Sequence, residues 1–105
     1  MSLSINLIKH YIDSLWLEKG LSDNTLASYA RDLQQLHEYL SQRSQSMESA
    51  QAHSLMGFLA DRSQTGIQPR SLARNLSSIK GFYKYLVREN YIESNPSALI
   101  EAPKQ

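Results

Sequence analysis

The strongest chemical bias in this chain lies in Arg62, Arg70, Arg74, Lys80, Lys84 and Arg88, which occupy a stretch with no acidic residue between Asp61 and Glu89. Cations gathered without interleaved acids suit a polyanion, through displaced counterions and through the fork of donors that each guanidinium presents. The bias is local. Seven acids face four bases before position 62 and three face one after position 88, so the formal net charge is only +1. A basic stripe on a slightly acidic body implies a directed polyanion-binding face rather than general adhesion.

Other chemistries are poorly supplied. The absence of cysteine removes disulfides, thiolate zinc sites and thiol nucleophiles, and is compatible with a reducing cytosol. His10, His37 and His53 stand far apart, outside any H-x-x-x-H or H-E-x-x-H pattern, so solvent-facing or capping roles are expected, with no metal and no cofactor. The longest apolar run is a few residues and the N-terminus lacks the basic-then-apolar order of a signal peptide, which predicts a cytoplasmic protein with no membrane partner. At 105 residues, with four glycines and three prolines, the chain reads as one ordered domain able to bury a core. Residues 41–49 read as a polar connector.

Helices must position the stripe. Ile5, Ile8, Ile12, Leu15 and Trp16 recur mainly at three- and four-residue steps, and Gly20 supplies a left-handed stop, predicting a helix over residues 4–19. Ser22 offers an N-cap and Asp23 suits the positive helix end, ahead of a second stripe of Leu26, Tyr29, Leu33, Leu36 and Leu40 that ends near Arg43. Leu55, Met56, Phe58 and Leu59 support a third helix over residues 52–63, with Gly66 just beyond. A fourth begins with Gln68 as N-cap and Pro69 at the first helical position, buries Leu72, Leu76, Ile79, Tyr83 and Leu86, and runs to about residue 89. Asn95, Pro96 and Pro103 break the tail, leaving room for one helical turn over residues 97–100.

The second and fourth helices echo one another forty-six residues apart: Leu26 with Leu72, Leu33 with Ile79, Leu36 with Phe82, Tyr39 with Tyr85, Leu40 with Leu86. Two packed helical hairpins are predicted, each lending its second helix to a common surface. At about 100° per residue, the face opposite the leucines on the second helix carries Asn24, Ser28, Arg31 and Gln35. On the fourth it carries Arg70, Arg74, Ser77, Gly81, Lys84 and Arg88, with Tyr85 beside them. A glycine on an exposed helix face is either incidental or permits close approach of a partner backbone.

Three segments carry a resemblance. Residues 15–33 read LWLEKGLSDNTLASYARDL, residues 70–86 read RSLARNLSSIKGFYKYL, and NPSALIEAPK follows from Asn95. They are similar to the N-terminal core-binding domain of tyrosine recombinases, the phage integrase family, and most closely to its bacterial site-specific members. The resemblance spans nearly the whole chain, and S-x-N-T-L-x-x-Y-x-R-D-L is its most specific part. It implies an all-α, SAM-like bundle of four or five helices, two packed hairpins plus a short C-terminal turn of helix, forming one half of a clamp around duplex DNA.

The family's chemistry sits elsewhere. A C-terminal catalytic domain supplies a tyrosine nucleophile with an Arg/Lys/His set that includes H-x-x-R, and this chain contains no H-x-x-R. The expectation is a core-binding domain over residues 1–101 and the start of a linker over residues 102–105, in a fragment without catalytic residues that is not itself an enzyme. None of the six tyrosines fits the nucleophile: Tyr29 and Tyr83 fall on buried stripes, Tyr11, Tyr39 and Tyr91 flank apolar positions, and Tyr85 lies nearer the basic face, where a phosphate hydrogen bond suits it better.

Matched residue by residue, the family pattern places Thr25, Ser28 and Arg31 on one DNA-facing surface and Arg70, Ser71, Arg74 and Lys80 on a second, across adjacent parts of a major groove. Helical phasing adds Asn24, Ser77, Lys84 and Arg88. Many family members carry a basic residue where Ala30 stands, and its absence weakens phosphate contact slightly. The implied partners are double-stranded DNA at a recombination site and, for the longer protein, a related recombinase subunit in a tetramer; the isolated domain is expected to be monomeric. A competing reading is a helical protein-interaction module using Trp16, Met56 and Phe58 if exposed. An intact helix-turn-helix regulator is disfavoured, because the connection between the second and third helices is too long and no dimerisation segment follows.

Overall fold

A computed structural model describes residues 3–101. They form four helices, α1 (Leu3–Lys19), α2 (Asp23–Ser41), α3 (Ala52–Gln64) and α4 (Pro69–Arg88), with no strand among the described residues. The expected all-α bundle is borne out. α1 and α2 make one hairpin and α3 and α4 the other, with α2 also packed against α3 and α4. The linker expected over residues 102–105 lies outside the described residues.

Local chemistry sets the helix boundaries. Gly20 takes φ +59°, and Ser22 caps α2 by accepting the Thr25 N–H at 3.2 Å on its hydroxyl. α2 ends two residues earlier than predicted, closing through Ser44 at φ +59° and a bond from the Gln45 N–H to the Leu40 carbonyl of 2.9 Å. Asn90 plays the same part after α4 at φ +64°, with the Tyr91 N–H on the Leu86 carbonyl at 2.9 Å. Gln68 occupies the N-cap position of α4, yet its side chain makes no capping bond. Residues 96–99 form hydrogen-bonded turns in place of the predicted helical turn, and Ser97 and Ile100 are buried, which returns the tail to the core.

The core lies along the α2–α4 contact. Leu33, Leu36 and Leu40 meet Ile79, Phe82 and Leu86, all six without solvent exposure, so the forty-six-residue echo marks positions that share one seam. The connector read as polar is anchored in that core. Met47 within it is fully buried, its carbonyl accepts the Tyr83 hydroxyl at 2.7 Å, and its N–H donates to the Ser4 hydroxyl at 3.3 Å. Burial pushes the Tyr83 phenol far above its usual range and the Tyr11 phenol up to about 12.

Gly81 corrects an expectation. The close approach it permits comes from within the protein: a Cβ there would collide with the Tyr11 hydroxyl oxygen, and the Tyr11 ring, 4% exposed, packs edge-on against Phe82. A parallel contact puts the Tyr39 hydroxyl over Gly57 of α3, 2.7 Å from where a Cβ would stand.

Gly81→Ala therefore lowers stability by about 1–2 kcal/mol in chemical denaturation despite alanine's better helix propensity, because a packed ring has to move. Adding Tyr11→Phe, which deletes the obstructing oxygen, recovers part of the loss. In a spectrophotometric titration of the native protein, Tyr11 ionises near pH 12 and Tyr83 only on unfolding. Since both folded pKa values are raised, their contribution to stability is complete below pH 10 and falls away as pH rises beyond it.

Candidate nucleic-acid interface

The predicted DNA-facing residues divide by what they touch. On α2, Asn24 and Arg31 are exposed, Ser28 is half-buried, and the Thr25 hydroxyl takes the Ser22 hydroxyl proton at 3.0 Å as part of the cap. On α4, Arg70, Ser77, Lys84 and Arg88 are exposed, whereas Ser71, Arg74 and Lys80 are half-buried. Lys80 reaches the Ala98 carbonyl of the tail at 3.5 Å. Arg70 stands in the first turn of α4, where no acidic residue and no side-chain cap offset the free N–H groups. The positive end of the helix dipole and this guanidinium reinforce one another. Arg62 belongs to the last turn of α3, apart from the other five cations.

A stretch free of acids in sequence is not free of them in space. Arg88 makes two bonds to Glu18 of α1, at 2.8 and 2.9 Å, and a third to Glu89 at 3.0 Å, while its guanidinium carbon lies 5.2 Å from the centre of the Tyr85 ring. The pairing holds the Glu18 carboxyl below its usual range and raises Arg88 further. Arg74 is paired as well. Its Nε donates to Asp32 Oδ2 at 2.9 Å and its Nη2 to Oδ1 at 2.8 Å, a bidentate bridge between α4 and α2 that raises the Arg74 pKa. The cations that stand without interleaved acids in sequence are thus paired in space at Arg74 and Arg88. Arg31, Arg70 and Lys84 have no acid partner within salt-bridge distance among the described residues.

Asp32 is the residue of this candidate site that sequence reasoning passed over. It is 1% exposed and also receives Asn75 Nδ2 at 2.9 Å and the Ser78 hydroxyl at 3.0 Å, so both carboxylate oxygens carry two donors. A signal was present. By helical phase Asp32 flanks the leucine stripe of α2, about 40° from Leu36, and an acid at the border of a buried face requires a cation or several donors. Ser78 lies forty-six residues further on, at the echo's own offset. The network binds the middle of α2 to the first half of α4, beside Arg31 on one helix and one turn from Arg70 on the other.

Among the described residues no group of three His, Asp or Glu side chains is gathered in a way that could hold a metal ion, and no helix is long and apolar enough to cross a membrane.

Fold and sequence agree on the class. Residues 8–90 match the phage integrase N-terminal SAM-like domain, and the chain belongs to that family. Its relatives within the family include the tyrosine recombinase XerD of Pseudomonas putida, 42% identical over 98 residues, that of Haemophilus influenzae, 40% over 101, and that of Proteus mirabilis, 42% over 98. These alignments cover 93%, 96% and 93% of this chain but 33%, 34% and 31% of the relatives, so the chain spans about a third of their length. The expected likeness to the XerD type of tyrosine recombinase is borne out.

Arg74→Ala leaves a buried carboxylate without its cation and lowers unfolding free energy by about 3 kcal/mol, the low end for a broken buried pair because Asn75 and Ser78 still bond it. Arg88→Ala, at a solvated pair, leaves the denaturation midpoint nearly unchanged.

Proposed function

We propose that this domain binds duplex DNA as one half of the clamp of a XerD-like site-specific tyrosine recombinase. The observation that carries the reading is the set of solvent-facing cations with no acid partner among the described residues, Arg31, Arg70 and Lys84, on the two helices that share the central seam, in a chain of the phage integrase family. Asn24, Thr25, Ser28, Ser71, Ser77 and Lys80 add donors beside them, and Arg74 adds a half-exposed guanidinium. Phosphate contacts from these side chains set register and orientation on the duplex, and an arginine at a helix start serves equally at a guanine edge.

In the longer protein the covalent step, a 3′-phosphotyrosine DNA intermediate, falls to a separate catalytic domain, and this domain positions the site for it. The working assembly pairs XerD-like subunits with a related, XerC-like recombinase in a tetramer on two DNA sites in the cytoplasm, resolving chromosome dimers. The isolated domain is a monomer that binds weakly.

The competing reading, a protein-interaction module, is favoured by Trp16 and Met56, which are 59% and 52% exposed. Phe58 no longer supports it, being 2% exposed in the core.

A gel-shift titration with a recombination-site duplex and a random duplex, repeated across a salt series, separates the two. With about four phosphates neutralised, log K falls against log salt with a slope near −3.5. Joint replacement of Arg31 and Arg70 by alanine, neither of which holds a buried partner, weakens binding at least tenfold. Unchanged affinity in that variant rejects this face, and no salt-dependent binding by the native domain rejects the reading altogether.

A further inference from the structure

The geometry points to Asp32 as a positioning residue for the DNA contact of α4: its buried carboxylate holds one edge of the Arg74 guanidinium and so fixes the other edge as a rigid donor for a phosphate. This rests on the reading of the domain as a DNA-binding module. Nε and Nη2 of Arg74 both face Asp32, whereas Nη1 makes no hydrogen bond among the described residues, and it is absent from the buried polar atoms that lack a partner. The side chain is 37% exposed, so the outer edge reaches solvent. Because the guanidinium is planar and its five N–H groups form a rigid fork, anchoring one edge orients the other.

An acid beneath a phosphate-binding face ought to repel DNA. Asp32 does not present its charge outward: each oxygen is closed by an arginine N–H on one side and by Asn75 or Ser78 on the other, and the residue is 1% exposed. What reaches the surface is a guanidinium already ordered, which loses less rotamer freedom on contact than the free side chain of Arg70 one turn upstream. Apolar side chains of similar volume would hold α2 to α4 as well as an ion pair does. The pair adds orientation, which an apolar contact cannot give to a donor.

The experiment uses the full chain and a fluorescein-labelled mixed-sequence duplex, read by fluorescence anisotropy across a salt series, with circular dichroism to verify folding. Asp32→Asn removes a negative charge, so simple electrostatics predicts tighter binding. Positioning predicts the opposite, a loss of about fivefold and a salt slope shallower by about one. In an Arg74→Ala background the same substitution has no further effect, because Asp32 acts only through Arg74. Binding by Asp32→Asn that equals or exceeds the native affinity, while Arg70→Ala still weakens it, overturns the positioning role and leaves the DNA-binding reading intact. Failure of the native chain to bind duplex overturns both. Where Asp32→Asn does not fold, Arg74→Lys carries the test: it keeps the charge and loses the fork, a severalfold loss of affinity is expected, and native affinity overturns the proposal.

Discussion

A carboxylate buried in a leucine seam constrains everything around it. Asp32 lies where α2 meets α4, and the desolvation of its charge is offset only if donors arrive in fixed positions. Arg74, Asn75 and Ser78 supply them from a single turn of α4, so the register of one helix against the other is set by direction-dependent bonds and not by the leucines alone. A one-turn slide that put Ser78, Ile79 and Phe82 in the places of Arg74, Asn75 and Ser78 would leave the buried charge without its cation. The apolar side chains of the seam, Leu33 and Leu36 of α2 and Ile79 and Phe82 of α4, belong to one buried cluster that holds it closed, and the polar network decides where it closes.

The basic face takes its form from that register. In the linear sequence the cations from Arg70 to Arg88 look equivalent, but acids from α1, α2 and the loop after α4 sort them into two kinds. Arg74 and Arg88 join helices together, while Arg70 and Lys84, with Arg31 across the seam, stay open to a partner. The potential of the face is thus carried by fewer residues than its composition suggests. Those residues sit on a backbone that the Arg74–Asp32 pair keeps in register.

Helix starts and stops were legible because single residues decide them: Ser22 for a cap, Pro69 for a first turn, Gly20 and Gly66 for left-handed stops. The echo between α2 and α4 was legible as well, since both helices bury the same face. The partners of Arg74 and Arg88 were hidden by distance, standing 42 and 70 residues away in the chain. The phase of Gly81 pointed to solvent, yet α1 covers part of that side of α4, which phasing a helix against its own stripe cannot reveal. The family match carried the expected DNA-facing assignment of Thr25, Ser71 and Lys80; periodicity alone does not place them on the outward faces.

The seat of Met47 bears on how copies of this domain treat one another. Two hairpins joined by a serine- and glutamine-rich connector are the kind of architecture that trades halves between molecules, since each hairpin of one chain fits the other hairpin of its neighbour. Exchange needs the connector to swing free as a hinge. Here its middle residue is held in the core, bonded to Tyr83 of the second hairpin and to Ser4 of the first, so opening the hinge breaks contacts in both halves at once. One buried methionine thus keeps the two halves of a single chain partnered with each other.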